Sequence, residues 1–303
     1  MNKFCCLFDA CTVLNLIHLD NDTYLLNRIK QLDLFLVEEV YSEVEEKIRL
    51  YKGQGKNFEG LRKSDIQSIK NEIDSKMSFF RSKKFTNEKL LKECGNDYFN
   101  LIKTSSSYLK KENGELHSVG LAIYLSRDEP SIVMFYTDDY PAKEHFYDFF
   151  EFQQIGQIKD SVDLLLFLYW SNDSFKKGKL DDYLSNLYSL YMKEISSLKK
   201  SLNDLYNRNK NAASVKRNRD VLNKVGELIN RLDKLEFKEL NNLKDFFERK
   251  HGLSKDVNLI INEHLLPFDL DSGSKNNLIN KIVRTRKKID SDKIMCLLDL
   301  CET

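Results

Sequence analysis

The sequence predicts an α/β domain, a parallel sheet flanked by helices, over residues 1–170, followed by an all-helical domain over 171–303. Three observations lead there. Short unbroken apolar runs alternate with segments of helical spacing in the first part, the pattern of strands joined by helical crossovers. After Ser171 those runs stop, and leucines step by three and four residues instead. Three prolines and eleven glycines in 303 residues favour long helices over a loop-rich β fold.

Taken in order, residues 4–8 end at Asp9 and read as a buried strand, and 10–18 carry Val13, Leu14 and Ile17 at helical spacing. A second buried run, 34–37, leads into a charged helix from 38 to 51, which Gly53 and Gly55 break. Residues 57–111 read as a helical insertion, with Ile66, Ile69 and Ile73 and then Leu90, Leu91, Tyr98, Leu101 and Ile102 at helix spacing. Asn113-Gly114 is a turn, and the following helix puts Val119, Ala122 and Ile123 on one face. Residues 131–136, β-branched and aromatic, form a strand that ends at Thr137-Asp138-Asp139. An aromatic-rich helix (142–152), a short edge strand (155–158) and a helix (160–170) complete the domain.

Beyond it, Leu180, Leu184, Leu187, Tyr191, Ile195, Leu198, Leu202 and Leu205 make a heptad-like seam. A polar, basic segment separates it from a second helix carrying Val225, Leu228, Leu232, Leu235, Leu240, Leu243 and Phe247. An antiparallel hairpin over roughly 176–250 is the simplest packing, with short helices over 254–303 and a basic cluster at Lys281, Arg284, Arg286, Lys287 and Lys288. The seam serves either this hairpin or a homodimer.

The net charge of +1 hides an asymmetry: 22 basic against 27 acidic residues up to Trp170, and 26 against 20 after it. Two modules with different jobs follow from that. The six cysteines form no C-x-x-C pair and there are five histidines, so a zinc framework is excluded; Cys5, Cys6 and Cys11 read as small buried hydrophobes in a reducing compartment. Asp9 interrupts the apolar N-terminus, which therefore does not read as a signal peptide, and no run is long enough to span a membrane. A soluble cytoplasmic protein is expected.

Acids fall where strands end or helices begin: Asp9, Glu43, Glu115, Asp138 and Asp139. In a parallel sheet the carboxyl ends of the strands share one edge, where sites gather. Carboxylates meeting there would repel one another unless a hard cation with a taste for oxygen, Mg²⁺ or Mn²⁺, were bound. Such an ion acidifies water and stabilises a leaving oxygen in phosphodiester cleavage, so no histidine base is needed.

Each residue also has a plainer reading. Asp9 is a favoured helix N-cap. Glu39 and Glu43, four apart, suit a solvated helix face, and Glu115 suits the positive end of a helix. The Asp138-Asp139 pair has no evident folding role. Thr12 and Thr137 could bind a ligand carboxylate or a phosphate, or be ordinary turn hydroxyls, and His117 either touches substrate or is a partly buried structural histidine. Arg208, Lys210, Lys216, Arg217 and Arg219, with no acid among them, form either a phosphate-binding tip or a solvated loop.

The run Phe8-Asp9-Ala10-Cys11-Thr12-Val13-Leu14-Asn15-Leu16 resembles the opening motif of the PIN-domain nucleases. Residues 37–44, ending in Glu43-Val44, look like their second motif, although Glu38 replaces its common proline and leaves Glu39 as a rival to Glu43. Gly114-Glu115 with Val119, Leu121 and Ala122 is similar to the third, and Thr137-Asp138-Asp139 to the closing Thr-x-Asp, which points first to Asp139 and second to Asp138. Asp160-Ser161-Val162-Asp163-Leu164-Leu165 resembles the closing helix of that fold. The resemblance implies a PIN fold over 1–170 and Mg²⁺/Mn²⁺-dependent endoribonuclease activity of the toxin type. Asp9, Glu43, Glu115 and Asp139 would be the metal ligands. It further implies a toxin or antiviral effector governed by an inhibitory or activating partner protein. The rivals are a PIN-like scaffold without turnover, which binds RNA or protein, and a structure-specific DNA nuclease.

Overall fold

The computed structural model describes residues 3–20, 22–54, 58, 60–105, 113–128, 131–211, 216–234, 246–247, 252–265, 274–291 and 293–294. It divides into two compact units: Met1–Asp138 with Ala142–Asn172, and Asp139–Pro141 with Asp173–Thr303.

The first unit is a five-stranded, all-parallel sheet flanked by helices. Its central strand is β1 (Lys3–Phe8), which pairs with β2 (Asp33–Val37) on one side and β4 (Ser131–Tyr136) on the other. Cys5, Cys6, Leu7 and Phe8 are all buried, because a central parallel strand is covered on both faces; this is why the run shows no alternation. A two-residue strand, β3 (Lys84–Phe85), continues the sheet beyond β2, and β5 (Gly156–Lys159) continues it beyond β4. The order is therefore β3-β2-β1-β4-β5. The chain winds outward from β1 and then returns to β1's other side, so the carboxyl ends of β1 and β4 flank the point where winding reverses, the place where such sheets hold ligands.

The helices follow the spacing of their apolar residues. α1 (Ala10–Leu19) buries Val13, Leu16 and Ile17, and α2 (Tyr24–Ile29) is a short helix not expected from the sequence. Asp20 starts α2, its two oxygens accepting the N–H groups of Leu25 (2.9 Å) and Leu26 (2.9 Å). α3 (Glu38–Gly53) buries Val40, Tyr41, Val44 and Ile48, leaving Glu43 and Lys47 off the buried stripe. α4 (Lys63–Arg81) contributes a buried Lys76, whose ammonium donates to the carbonyls of Ile17 and Asp20 and caps the end of α1 with positive charge.

The expectation of a helical insertion over 57–111 needs correcting. Two helices, α5 (Asn87–Cys94) and α6 (Asn96–Ser105), do follow α4, but β3 interrupts them and belongs to the sheet, Leu36 and Val37 lying opposite Lys84 and Phe85. Two residues carry too little periodicity to be read as a strand. α7 (Gly114–Asp128) is almost wholly buried against β4, α3, α5 and α6. It comes close to α3 at Gly114, where a Cβ would meet Val40 Cγ2 at 2.8 Å. α8 (Tyr140–Phe152) and α9 (Ser161–Trp170) flank β5; α9 begins with a reciprocal cap in which Asp160 and Asp163 each accept the other's backbone N–H.

In the second unit, α10 (Lys177–Asn209) packs against α11 (Lys216–Asp233), α12 (Leu253–Leu265) and α13 (Ser274–Asp290). All eight seam residues from Leu180 to Leu205 are buried. Val225, Leu228, Leu232 and Phe247 are buried as well, and Arg286 of α13 forks onto Asp181 of α10 at 2.7 and 3.2 Å. Leu235, Leu240, Leu243, Cys296 and Cys301 lie outside the described residues. Among the described residues, no helix is long and apolar enough to cross a membrane.

Candidate functional site

The reversal point of the sheet is tied by backbone and hydroxyl groups. The Asp9 N–H donates to the Tyr136 carbonyl at 2.9 Å, and Thr12 Oγ1 donates to the same oxygen at 3.0 Å. Asp9 occupies the N-cap position of α1 in extended conformation, but its side chain makes no cap hydrogen bond. Its Oδ2 instead accepts from Thr137 Oγ1 (2.9 Å) and Cys11 Sγ (3.1 Å). The helix-cap reading of this residue therefore fails on geometry. The Thr137 and Thr12 hydroxyls orient the two strand ends.

Glu115 stands in the first turn of α7 and is only 8% exposed. Capping falls to Asn113, whose Oδ1 accepts the Leu116 N–H at 3.2 Å. Asp9 is also 8% exposed, and its pKa is pushed up to about 6 by burial first, then by the negative charges of Glu115 and Glu43; the Cys11 thiol and Ala10 N–H pull the other way. Carboxylates from β1, α3 and α7 thus share one electrostatic neighbourhood.

Between the rivals on α3, the surroundings differ. Glu39 accepts from the Asn87 amide and lies 2.5 Å from His117 Nδ1, a pairing that ties α3 to α5 and α7. Glu43, on the next turn, is among the charges raising Asp9. His117 is partly buried, with its ring edge-on to Phe99. Glu43 is half-exposed and bridged to Lys47 at 2.5 Å.

Asp138 has a folding role that the sequence did not disclose. Its Oδ1 accepts the Ser161 N–H (2.8 Å), and its Oδ2 accepts Ser161 Oγ (2.6 Å) and Asn15 Nδ2 (2.7 Å). The carboxylate therefore fastens the end of β4 to the starts of α9 and α1. Burial and the neighbouring Asp160 raise its pKa, opposed by the Ser161 bonds and Lys143. Its own N–H donates to Cys11 Sγ at 3.1 Å, which places that thiol between Asp9 and Asp138. Burial, Asp9 and Asp138 keep the thiol protonated, its pKa well above the ordinary value.

Asp139 is half-buried and, with Tyr140 and Pro141, is grouped with the second unit. Among the described residues, no three His, Cys, Asp or Glu side chains are gathered closely enough to hold a metal ion as they stand. The basic candidates belong to the second unit: Arg208, Lys210 and Arg219 are exposed near the α10–α11 connection. Lys216 and Arg217 open α11, their side chains outside the described residues.

Sequence reasoning missed Cys11, Asn15, Lys47 and Ser161. The signal for two of them was there: Cys11 and Asn15 are four apart on α1 and share a face. Lys47 stands at the same spacing from Glu43, and in the sequence it is one more charge on a charged helix.

Comparison with protein-family models, with curated proteins and with solved structures finds no match.

Proposed function

We propose that the first unit is a PIN-type nuclease domain that cleaves RNA phosphodiester bonds with Mg²⁺ or Mn²⁺. What carries this reading is the shared neighbourhood of Asp9, Glu43 and Glu115, in which Asp9 resists ionisation until about pH 6 because of burial and its two acidic neighbours. The donors are all carboxylate oxygens, the set hard divalent cations take. An ammonium already rests on Glu43, as a cation would. Asp9, Glu43, Glu115 and Asp139 are the proposed ligands; bound there, a divalent cation would acidify water and stabilise charge on the phosphate.

The chain's own residues do the positioning. Thr137 and Cys11 hold one Asp9 oxygen, and the other is the one this reading assigns to a ligand. Asp138, its oxygens taken by Ser161 and Asn15, supports the site through the backbone and is not a ligand in this reading. In the second unit α10 and α11 form an antiparallel hairpin, supported by their packing and by the Lys199–Asp233 ion pair between them. Arg208, Lys210 and Arg219, exposed near the α10–α11 connection, together with Lys216 and Arg217 of the same run, are the residues this reading assigns to RNA phosphates. A cytoplasmic toxin or antiviral effector held in check by a partner protein is the biological role that fits such an activity.

The test is cleavage of total RNA by the purified chain with Mn²⁺, beside a flapped DNA duplex. The wild-type chain is expected to cut RNA. Asp9→Asn, Glu115→Gln and Asp139→Asn should each lower the rate by at least about a hundredfold with the fold intact. Full activity in the Asp9 and Glu115 variants refutes the site; preferential cutting of the flap makes it a DNA nuclease. No Mn²⁺ binding and no cleavage make it a scaffold.

A further inference from the structure

The basic cluster around Arg286 lies in the second unit, and the fold gives it neighbours that the sequence does not show. Arg286 of α13 forks onto Asp181 of α10, at 2.7 and 3.2 Å, which sets the end of α13 beside the start of α10. The last two turns of α13 also carry Arg284, Lys287 and Lys288, all exposed, against a single acid, Asp290. These three cations stand at positions i, i+3 and i+4 and so share a helix face. Ile282, Thr285 and Ile289 are buried on the side where α13 packs on α10. The start of α10 adds Lys176, Lys177 and Lys179, with Asp182 as the acid not taken by Arg286. Two helices thus bring six cations and two acids to one corner.

A solvated helix face normally mixes its signs, as α3 does with Glu45 and Glu46 exposed beside Arg49. Here one sign prevails on both helices. First-turn lysines also oppose the positive potential of a helix N-terminus, and α10 has no acid in its first turn to offset them. Folding alone disfavours that arrangement, whereas a polyanion is drawn to it. We propose that this corner of the second unit is a site for the phosphate backbone of single-stranded RNA. The choice of RNA rests on the reading above; cleavage does not enter. Lys177 lies about 47 Å from Arg208 along α10, several screening lengths away, so the corner acts separately from the α10–α11 connection. A helix lying on a membrane offers lipid an apolar face, but α13 buries Leu278, Ile279, Ile282 and Ile289 within its own unit. A protein partner would need large apolar or aromatic anchors, and among the described residues of α13 only Val283 is an exposed large hydrophobic.

The experiment is fluorescence anisotropy of a labelled oligouridine titrated with the full chain in EDTA, over a range of KCl. EDTA removes cleavage from the measurement, so its outcome is separate from that of the Mn²⁺ assay. Arg284→Gln, Lys287→Gln and Lys288→Gln together should lower the slope of log K against log salt by about two, near 0.7 for each phosphate released. Lys176→Gln, Lys177→Gln and Lys179→Gln together should lower it by a similar amount, and all six changes by about four. Lys193→Gln, Lys200→Gln and Lys255→Gln, at exposed lysines elsewhere in the unit, form the control and should leave the slope unchanged. Arg284→Lys with Lys287→Arg and Lys288→Arg keeps the charge and should keep the slope. A wild-type chain that does not bind the strand overturns the inference, as does an unchanged slope in either Gln triple. An equal fall in the control overturns it too, since net charge would then suffice, and so does a fall in the charge-keeping variant. If phosphatidylserine vesicles lose binding in the Gln triples while the strand does not, the corner is a membrane surface and the inference is again overturned. Strand binding in EDTA with no cleavage in Mn²⁺ would keep this site and sink the nuclease reading alone.

Discussion

Asp9 is destabilising in its ionised form, and the sign of that effect sets a pH signature. Its folded pKa of about 6 lies above the unfolded value of 3.8, so the folded chain holds the proton more tightly. Stability from this group is complete below pH 3.8 and is lost as pH rises through 6. The cost above pH 7 is on the order of 2–3 kcal/mol, since each pH unit corresponds to about 1.4 kcal/mol. Asp9→Asn should therefore stabilise the metal-free chain at pH 8, and denaturant melts from pH 4 to 8 should lose most of their decline over pH 4–6. An unchanged profile would mean that Asp9 is not the strained acid. At this scale the sequence showed which residue types mattered but not their orientation. Asp9 and Asp138 looked equivalent, each an acid after an apolar strand. Only the fold reveals that Asp138 is consumed by Ser161, 23 residues away, and Asn15, 123 residues away. Glu39 and Glu43, one turn apart, are likewise separated only by what lies opposite them, Asn87 and His117 for one and Lys47 for the other.

Among the elements, α7 makes a close approach to α3 beside Glu115. It depends on Gly114, where a Cβ would stand 2.8 Å from Val40 Cγ2. Gly114→Ala should cost about 1–3 kcal/mol by overpacking and weaken Mn²⁺ binding by spreading the two helices. Val40→Ala should restore part of both in the double variant, a coupling that thermal melts and Mn²⁺ titrations measure directly. An additive double variant would show that the two residues do not share that contact. The elements themselves were largely legible. β1 and β4 stand out because burial on both faces leaves an unbroken apolar run, and α3 and α7 because their apolar residues recur at helical spacing. β3 and α2 were not legible. One is two residues long and exists through its pairing with β2; the other is one and a half turns nucleated by Asp20.

For the molecule as a whole, the charge asymmetry has a consequence for substrate binding. The acidic half carries the candidate site, and the basic half, with 26 basic against 20 acidic residues, is the part suited to a polyanion. Replacing Arg208, Lys210 and Arg219 together by Glu should weaken RNA binding and flatten its salt dependence. For single strands the slope of log K against log salt should fall by about two, near 0.7 for each phosphate that is no longer neutralised. Equal slopes in fluorescence anisotropy across salt would remove the tip from the RNA-binding surface. The leucine seam of α10 suits either hairpin or dimer packing when read from the sequence, and its residues are buried within the second unit itself. The division of the chain after Asn172 falls within two residues of the change in pattern at Ser171, whereas the grouping of Asp139–Pro141 with the later unit left no trace in local composition.

The parallel pairing of β1 with β4 also governs when the site comes into being during synthesis. Asp9 is made before Thr137, which holds its carboxylate and lies 128 positions later. Until β4 emerges the central strand lacks a neighbour on one side, and such long-range pairing is slow to form. A nascent chain therefore carries Asp9 without the surroundings that raise its pKa. On the proposed reading, cleavage therefore waits until the sheet closes.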